Sequence, residues 1–133
     1  MTKWREWGFS VHIVCMTNGD AGHQTMGRTE LAARRKREAA AAAAVSGAES
    51  IVLDNHDGEL LPTLDVRREV ISLIRRFNAD VVITHRPNDY HPDHRYTAQL
   101  VQDAAYMVTV PHVVEEVPSL RKNPVFMYFL DQF

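Results

Sequence analysis

A single cysteine, Cys15, stands in a chain of 133 residues. One thiol allows neither an internal disulfide framework nor a cysteine-rich zinc module. Nothing near Cys15 suggests an activated thiol, so its expected role is to fill core space beside a sheet. No apolar run approaches the roughly 20 residues that a membrane crossing needs. The N-terminal Met-Thr-Lys-Trp-Arg-Glu-Trp-Gly has no apolar stretch of the signal-peptide kind. An excess of one charge is also missing. Fifteen Lys and Arg oppose seventeen Asp and Glu, a net charge of -2, and the two signs are intermixed. That disfavours a non-specific polyanion binder, so no nucleic-acid partner is expected. The chain also lacks a Gly-Lys-Ser/Thr phosphate loop and a GxGxxG fingerprint, which leaves a nucleotide-binding domain resting on fold analogy alone. Ser10, Ser46 and Ser72 lie outside any nucleophile-elbow context. With 45% hydrophobic and 24% charged residues there is enough apolar material for one core. The expectation is a soluble, cytoplasmic protein without a membrane span.

Short segments rich in β-branched residues read as strands: Val11–Met16, Ser50–Leu53, Asp80–Thr84 and Val125–Leu130. The first three are nearly continuous apolar runs, the pattern of strands buried on both faces of a parallel sheet. Helices are expected between them. Thr29 can cap one that runs to Ser46, with Gly47 as its stop and six alanines, Ala39–Ala44, as strong helix formers. Thr63 can cap a second to Phe77, with Val66, Val70, Leu73, Ile74 and Phe77 on one face. A third begins at Pro92, a residue suited to the first helical position, and runs to about Met107. Trp4, Trp7 and Gly8 look like the last turns of a helix with a glycine stop. The order β-α-β-α-β-α-β predicts a three-layer α/β/α domain with a mostly parallel sheet.

In such sheets ligands bind beyond the carboxyl ends of the strands. Three polar loops fall there: Thr17–His23, Asp54–Glu59 and His85–His94. The third holds three of the seven histidines. His91 and His94 lie three apart in the predicted first turn and share a side. The positive end of the helix disfavours imidazolium there, and neutral imidazole is the form that ligates a metal. Two histidines do not complete a catalytic zinc site, and Asp93, Asp89 and Asp20 are candidates to supply a carboxylate or to support the rings. The basic run Arg34–Arg37 reads as a solvated face from which one arginine could anchor a carboxylate or a sugar hydroxyl. His12 and His112 have no evident partners in the sequence and read as structural.

Thr17-Asn-Gly-Asp-Ala-Gly-His, Arg35-Lys-Arg-Glu-Ala, Asp57-Gly-Glu-Leu and Thr84-His-Arg-Pro-Asn-Asp-Tyr-His-Pro-Asp-His resemble, in order and spacing, the PIG-L / LmbE-like N-acetylglucosaminyl deacetylases. The likeness runs from about Gly8 to Phe133, so residues 1–133 are read as a single, partial domain of this kind. The resemblance implies a Rossmann-like α/β fold and zinc-dependent removal of an N-acetyl group from an N-acetylglucosamine-type conjugate or related amide. It implies His94 as a metal ligand and His91 as the histidine that stabilises or protonates the tetrahedral intermediate. Asp93 would orient and tune His91. Arg35 would help bind substrate or released acetate, and Asp20 and Asp89 would be further substrate-binding residues. Such chemistry needs an activated water, a place for the oxyanion and a proton for the leaving amine, and a metal with a carboxylate and a histidine supplies all three. The family's N-terminal His-Pro-Asp-Asp block, source of two further metal ligands and the base, has no counterpart here. The expectation is therefore a chain short by about one β-α unit in front and short at its end. An exposed sheet edge would favour self-association. A non-catalytic binding or regulatory module that keeps the fold is the alternative.

Overall fold

The structure, a computed structural model, describes residues 2–129. They fall into two compact units, one up to Leu60 and one from Leu61 onward.

The first unit contains α1 (Thr2–Glu6), β1 (His12–Cys15), α2 (Arg28–Ser46) and β2 (Glu49–Val52). The α1 turn is too short to be stable alone. It is extended by backbone bonds from Trp7 to Lys3, Gly8 to Arg5 and Phe9 to Trp4, so the chain leaves it at Gly8 as the sequence suggests. β1 and β2 pair in parallel with Ile13 opposite Ser50 and Val14 opposite Ile51. All four positions of β1 are half-buried, and that lack of alternation matches its continuous apolar run.

α2 departs from its expected start. The cap is Gly27, in an extended conformation and without a side-chain bond; the Leu31 N–H closes the first turn on the Gly27 carbonyl. Thr29 is inside the helix. Gly47 ends α2 at φ 66°, in the left-handed region, and the N–H groups of Gly47 and Ala48 return to Ala44 and Ala43. Such a stop requires a residue without a Cβ penalty. Only Leu31 and Ala43 of this helix are buried. The alanine run thus acts through helix propensity more than through packing.

The second unit contains α3 (Leu64–Arg76), β3 (Val81–Thr84), α4 (Pro92–Met107) and β4 (Val125–Tyr128). Leu130, expected to end the last strand, lies outside the described residues. β3 and β4 are parallel, with Val82 opposite Phe126 and Ile83 opposite Met127. Thr63 caps α3 by accepting the Val66 N–H. α3 and α4 pack together, and Val70, Ile71, Ile74, Ala98, Leu100, Val101, Ala104 and Val108 form the core. The buried face of α3 is rotated slightly from the expected one: Ile71 and Arg75 are buried along with Val70 and Ile74.

Arg75 is the unusual member of that core. It is 4% exposed, and its guanidinium donates to the carbonyls of Met107, Val108, Val110, Val113, Val114 and Val117 at 2.5–3.0 Å. The segment after α4 is thus wrapped around one cation. Burial pulls the Arg75 pKa down, and the Glu116 charge opposes that pull. Val114 sits at φ 55°, a strained value for a β-branched residue, and its carbonyl is among those Arg75 holds.

The fold class is α/β, with every strand pair parallel among the described residues. No described helix is long and apolar enough to cross a membrane.

Candidate functional site

In the second unit the site is built at the start of α4. Pro92 takes the first helical position, and His91 is the cap. Its Nδ1 accepts the Asp93 backbone N–H at 3.2 Å. An imidazole that accepts at Nδ1 carries its proton on Nε2 in the neutral form.

Asp89 sets the neighbouring ring. One carboxylate oxygen accepts both the His91 backbone N–H at 3.0 Å and the His94 ring nitrogen Nδ1 at 2.9 Å. The His91 backbone bond is the main cause holding the Asp89 carboxyl below its ordinary pKa; burial pushes the other way, and His94 and Arg86 add to the lowering. With its Nδ1–H given to Asp89, neutral His94 keeps a lone pair on Nε2. That is the second-sphere pattern seen behind metal-bound histidines. His91 and His94 therefore sit in opposite tautomers, one donating through Nε2 and one accepting there.

His85, at the end of β3, completes the cluster. His85, Asp89 and His94 each offer a ligand atom, all within 4.8 Å of one another. The His85 ring stacks on His94 with centroids 4.1 Å apart and planes 5° from parallel. Stacked rings hold their in-plane lone pairs in two separate parallel planes, so the two do not converge on one ion. The donor set fits a divalent cation through His94 Nε2, with Asp89 and His85 fixing the ring. Tyr90 meets the edges of His91 and His94 at 5.8 and 5.6 Å. Asp93 is 6% exposed, and its backbone, as described, holds His91.

In the first unit the loops after β1 and β2 meet. Thr17 donates to Asp57 at 3.1 Å, Asn18 to Asp54 at 3.1 Å, and the Asn18 N–H to the Asn55 carbonyl at 2.9 Å. Asp20 is 3% exposed. It accepts the Asp57 N–H at 3.0 Å and His56 Nδ1 at 2.6 Å, with the Arg28 guanidinium 3.6 Å away. Burial raises the Asp20 pKa, but the Asp57 N–H, His56 and Arg28 together bring it below the ordinary value. Arg35 pairs with Glu38 at 2.8 Å, and so does Arg34 at 2.7 Å. A Cβ on Gly19 would stand 3.1 Å from Arg35 Cγ, so the bare glycine lets the arginine stem lie on the loop.

The sequence groups His85 with His91 and His94 in one loop and sets His56 in another but assigns neither a role, although the spacing of His85, Asp89 and His94 is a signal for the first. His12 and His112 do have partners: Glu49 at 3.1 Å and Glu115 at 2.7 Å. Cys15 is half-buried, and burial raises its pKa, as befits an inert thiol.

A family model described as PIG-L, GlcNAc-PI de-N-acetylase, matches residues 1–105. A diacetylchitobiose deacetylase from Thermococcus kodakarensis is 33% identical over 112 residues, covering 79% of this chain and 42% of the relative. A 4-oxalmesaconate hydratase from Pseudomonas putida is 28% identical over 107 residues, covering 74% of this chain and 42% of that protein. The chain thus spans less than half the length of these curated relatives. Among solved structures, N,N'-diacetylchitobiose deacetylase from Pyrococcus horikoshii, complexed with an inhibitor, superposes with a TM-score of 0.85 at 26% identity, over 94% of this chain and 51% of that one.

Proposed function

This chain belongs to the PIG-L, GlcNAc-PI de-N-acetylase family, and from that premise we propose that it serves the zinc-dependent hydrolysis of an N-acetyl group on an N-acetylglucosamine-type or related amide. The observation that carries the reading is the pair of oppositely set imidazoles at the start of α4. The two deacetylase relatives support the choice of substrate class.

A zinc ion, when bound, polarises an amide carbonyl and lowers the pKa of a bound water. His94 would hold it through Nε2, with its Nδ1–H donated to Asp89. His91 donates a hydrogen bond from Nε2–H to the oxygen that gains charge and keeps that proton, while the leaving amine takes up the proton that the attacking water releases. Asp93 orients His91: its backbone N–H occupies Nδ1 and so leaves Nε2 as the only protonated nitrogen. Arg35 is the proposed residue for substrate or the released acetate, and Asp20 and Asp89 are proposed as further substrate-binding residues.

The test is acetate release from N,N'-diacetylchitobiose by the protein supplied with zinc. The expected result is turnover that falls at least about 100-fold in His91→Ala, the usual worth of an oxyanion donor, and disappears in His94→Ala. Undiminished turnover without His94 would refute the assignment. The hydratase relative gives the second outcome a meaning: zinc bound at His94 with no acetate released from any N-acetylated sugar would move the reading away from deacetylation.

A further inference from the structure

The second unit has a groove at the edge opposite its histidines. His85 follows the carboxyl end of β3, whereas Asp80 precedes its first residue, and four strand residues put about 13 Å between the two edges. Around Asp80 the turn after α3 and the segment before β4 enclose about 630 Å³. The lining includes Arg75, Arg76, Asn78, Ser119, Arg121 and Lys122. That is the size of a site for a small metabolite, and the reaction described above gives it no task.

The charge in this groove is unbalanced. Lys122 is met by Asp80 at 3.0 Å, and the Arg75 guanidinium is taken up by backbone carbonyls, that of Val117 among them at 2.9 Å. The side chains of Arg76 and Arg121 have no hydrogen bond or ion pair among the described residues, and neither do those of Asn78 and Ser119. Arg76 lies in the last turn of α3, where a cation suits the helix dipole. Yet the carbonyls of Leu73, Ile74 and Arg75 already accept the N–H groups of Phe77, Ala79 and Asn78, so the turn closes without its guanidinium. Arg121 has no helix end to serve. The walls are tied down before anything binds: the Leu120 N–H donates to the Val108 carbonyl at 2.9 Å, and the Val125 N–H to the Asp80 carbonyl at 2.9 Å. Two guanidinium groups, an amide and a hydroxyl around one groove are the donor set of an oxyanion site.

We propose that this groove binds the phosphate group of a small phosphorylated metabolite, with Arg76 and Arg121 as its two charge partners and Asn78 and Ser119 as neutral donors. A phosphate monoester carries close to two negative charges at neutral pH and matches the two guanidinium groups, whereas a carboxylate carries one. The occupant bridges the end of α3 and the segment before β4. The site uses none of the residues assigned to deacetylation and stands whether or not that reading does.

The experiment is a calorimetric titration of the zinc-free protein, at fixed ionic strength, with inorganic phosphate and with glucose 6-phosphate. Glucose and gluconate, which carry no phosphate, are titrated alongside. Saturable binding of both phosphates is expected, with gluconate about fivefold weaker than glucose 6-phosphate and glucose not bound. Arg76→Gln and Arg121→Gln replace exposed residues, so the melting temperature of the free protein is expected to stay unchanged. Each is expected to weaken phosphate binding about fivefold, the upper end for an exposed ion pair. His94→Ala is expected to bind as the wild-type chain does. If neither phosphate binds, if gluconate binds as tightly as glucose 6-phosphate, or if both arginine variants bind undiminished, the inference is overturned. Binding that is lost in His94→Ala would put the phosphate at the histidine cluster and would overturn it as well.

Discussion

Asp89 takes two hydrogen bonds on one oxygen, and that single atom decides what two histidines can do. It sets the turn that makes His91 a cap and the tautomer that leaves His94 Nε2 free. The HxxH spacing showed that the two rings share a face, but not that one donates and the other accepts. That difference comes from which neighbour occupies each Nδ1, and spacing carries no information about it. His56 was hidden for the same reason, since its anchor Asp20 is 36 residues away. Asp20 also makes a prediction about acid stability. Its carboxyl pKa is depressed in the folded protein, so the unfolded chain takes up the proton first as pH falls. The stabilisation is present above the ordinary carboxylate value of about 4 and is lost as pH drops through the folded value. Thermal melts across this window should show a steeper acid loss for the wild-type chain than for Asp20→Asn. Parallel curves would mean that the Asp20 contacts contribute nothing.

Elements were legible where side chains made the signal, and obscure where backbone did. α4 could be read from Pro92 and α3 from Thr63 and its apolar period, and both stand within a residue of the expected bounds. The start of α2 could not, because its cap is a glycine with no side-chain bond to give it away. The histidine-rich loop is held in place by its neighbours in a way the sequence also concealed. α4 is closed behind by the segment wrapped around Arg75, a charged residue in the last turn of an amphipathic helix. Replacing it with methionine keeps the apolar stem and removes every donor, leaving six carbonyls to find other partners. Stranded polar groups of this kind cost about 1–3 kcal/mol each, and rearrangement recovers part of that. Urea denaturation of Arg75→Met should show a loss of at least about 3 kcal/mol. A loss within about 0.5 kcal/mol, typical of an ordinary surface change, would show that the wrap holds without its cation.

Over the whole chain, the order of strands and helices follows from the alternation of apolar runs and capped helical segments, and the parallel pairing follows from the long connections between strands. The sheet is described as two parallel pairs, one in each unit. The family matches across residues 1–105, and the similarity to a solved deacetylase extends over 94% of the chain. What this adds to the local geometry is a family to which the proposed use of the imidazole pair belongs. The central claim is thus that His94 is set to hold a metal ion. It is tested most directly by a zinc titration of the chain against a competing chelator, with His94→Ala and Asp89→Asn alongside. The prediction is one zinc per chain, lost in His94→Ala and weakened about 10- to 100-fold in Asp89→Asn, the usual effect of removing the group behind a metal-bound histidine. Zinc uptake that is absent in the wild-type chain, or unchanged in His94→Ala, would contradict it.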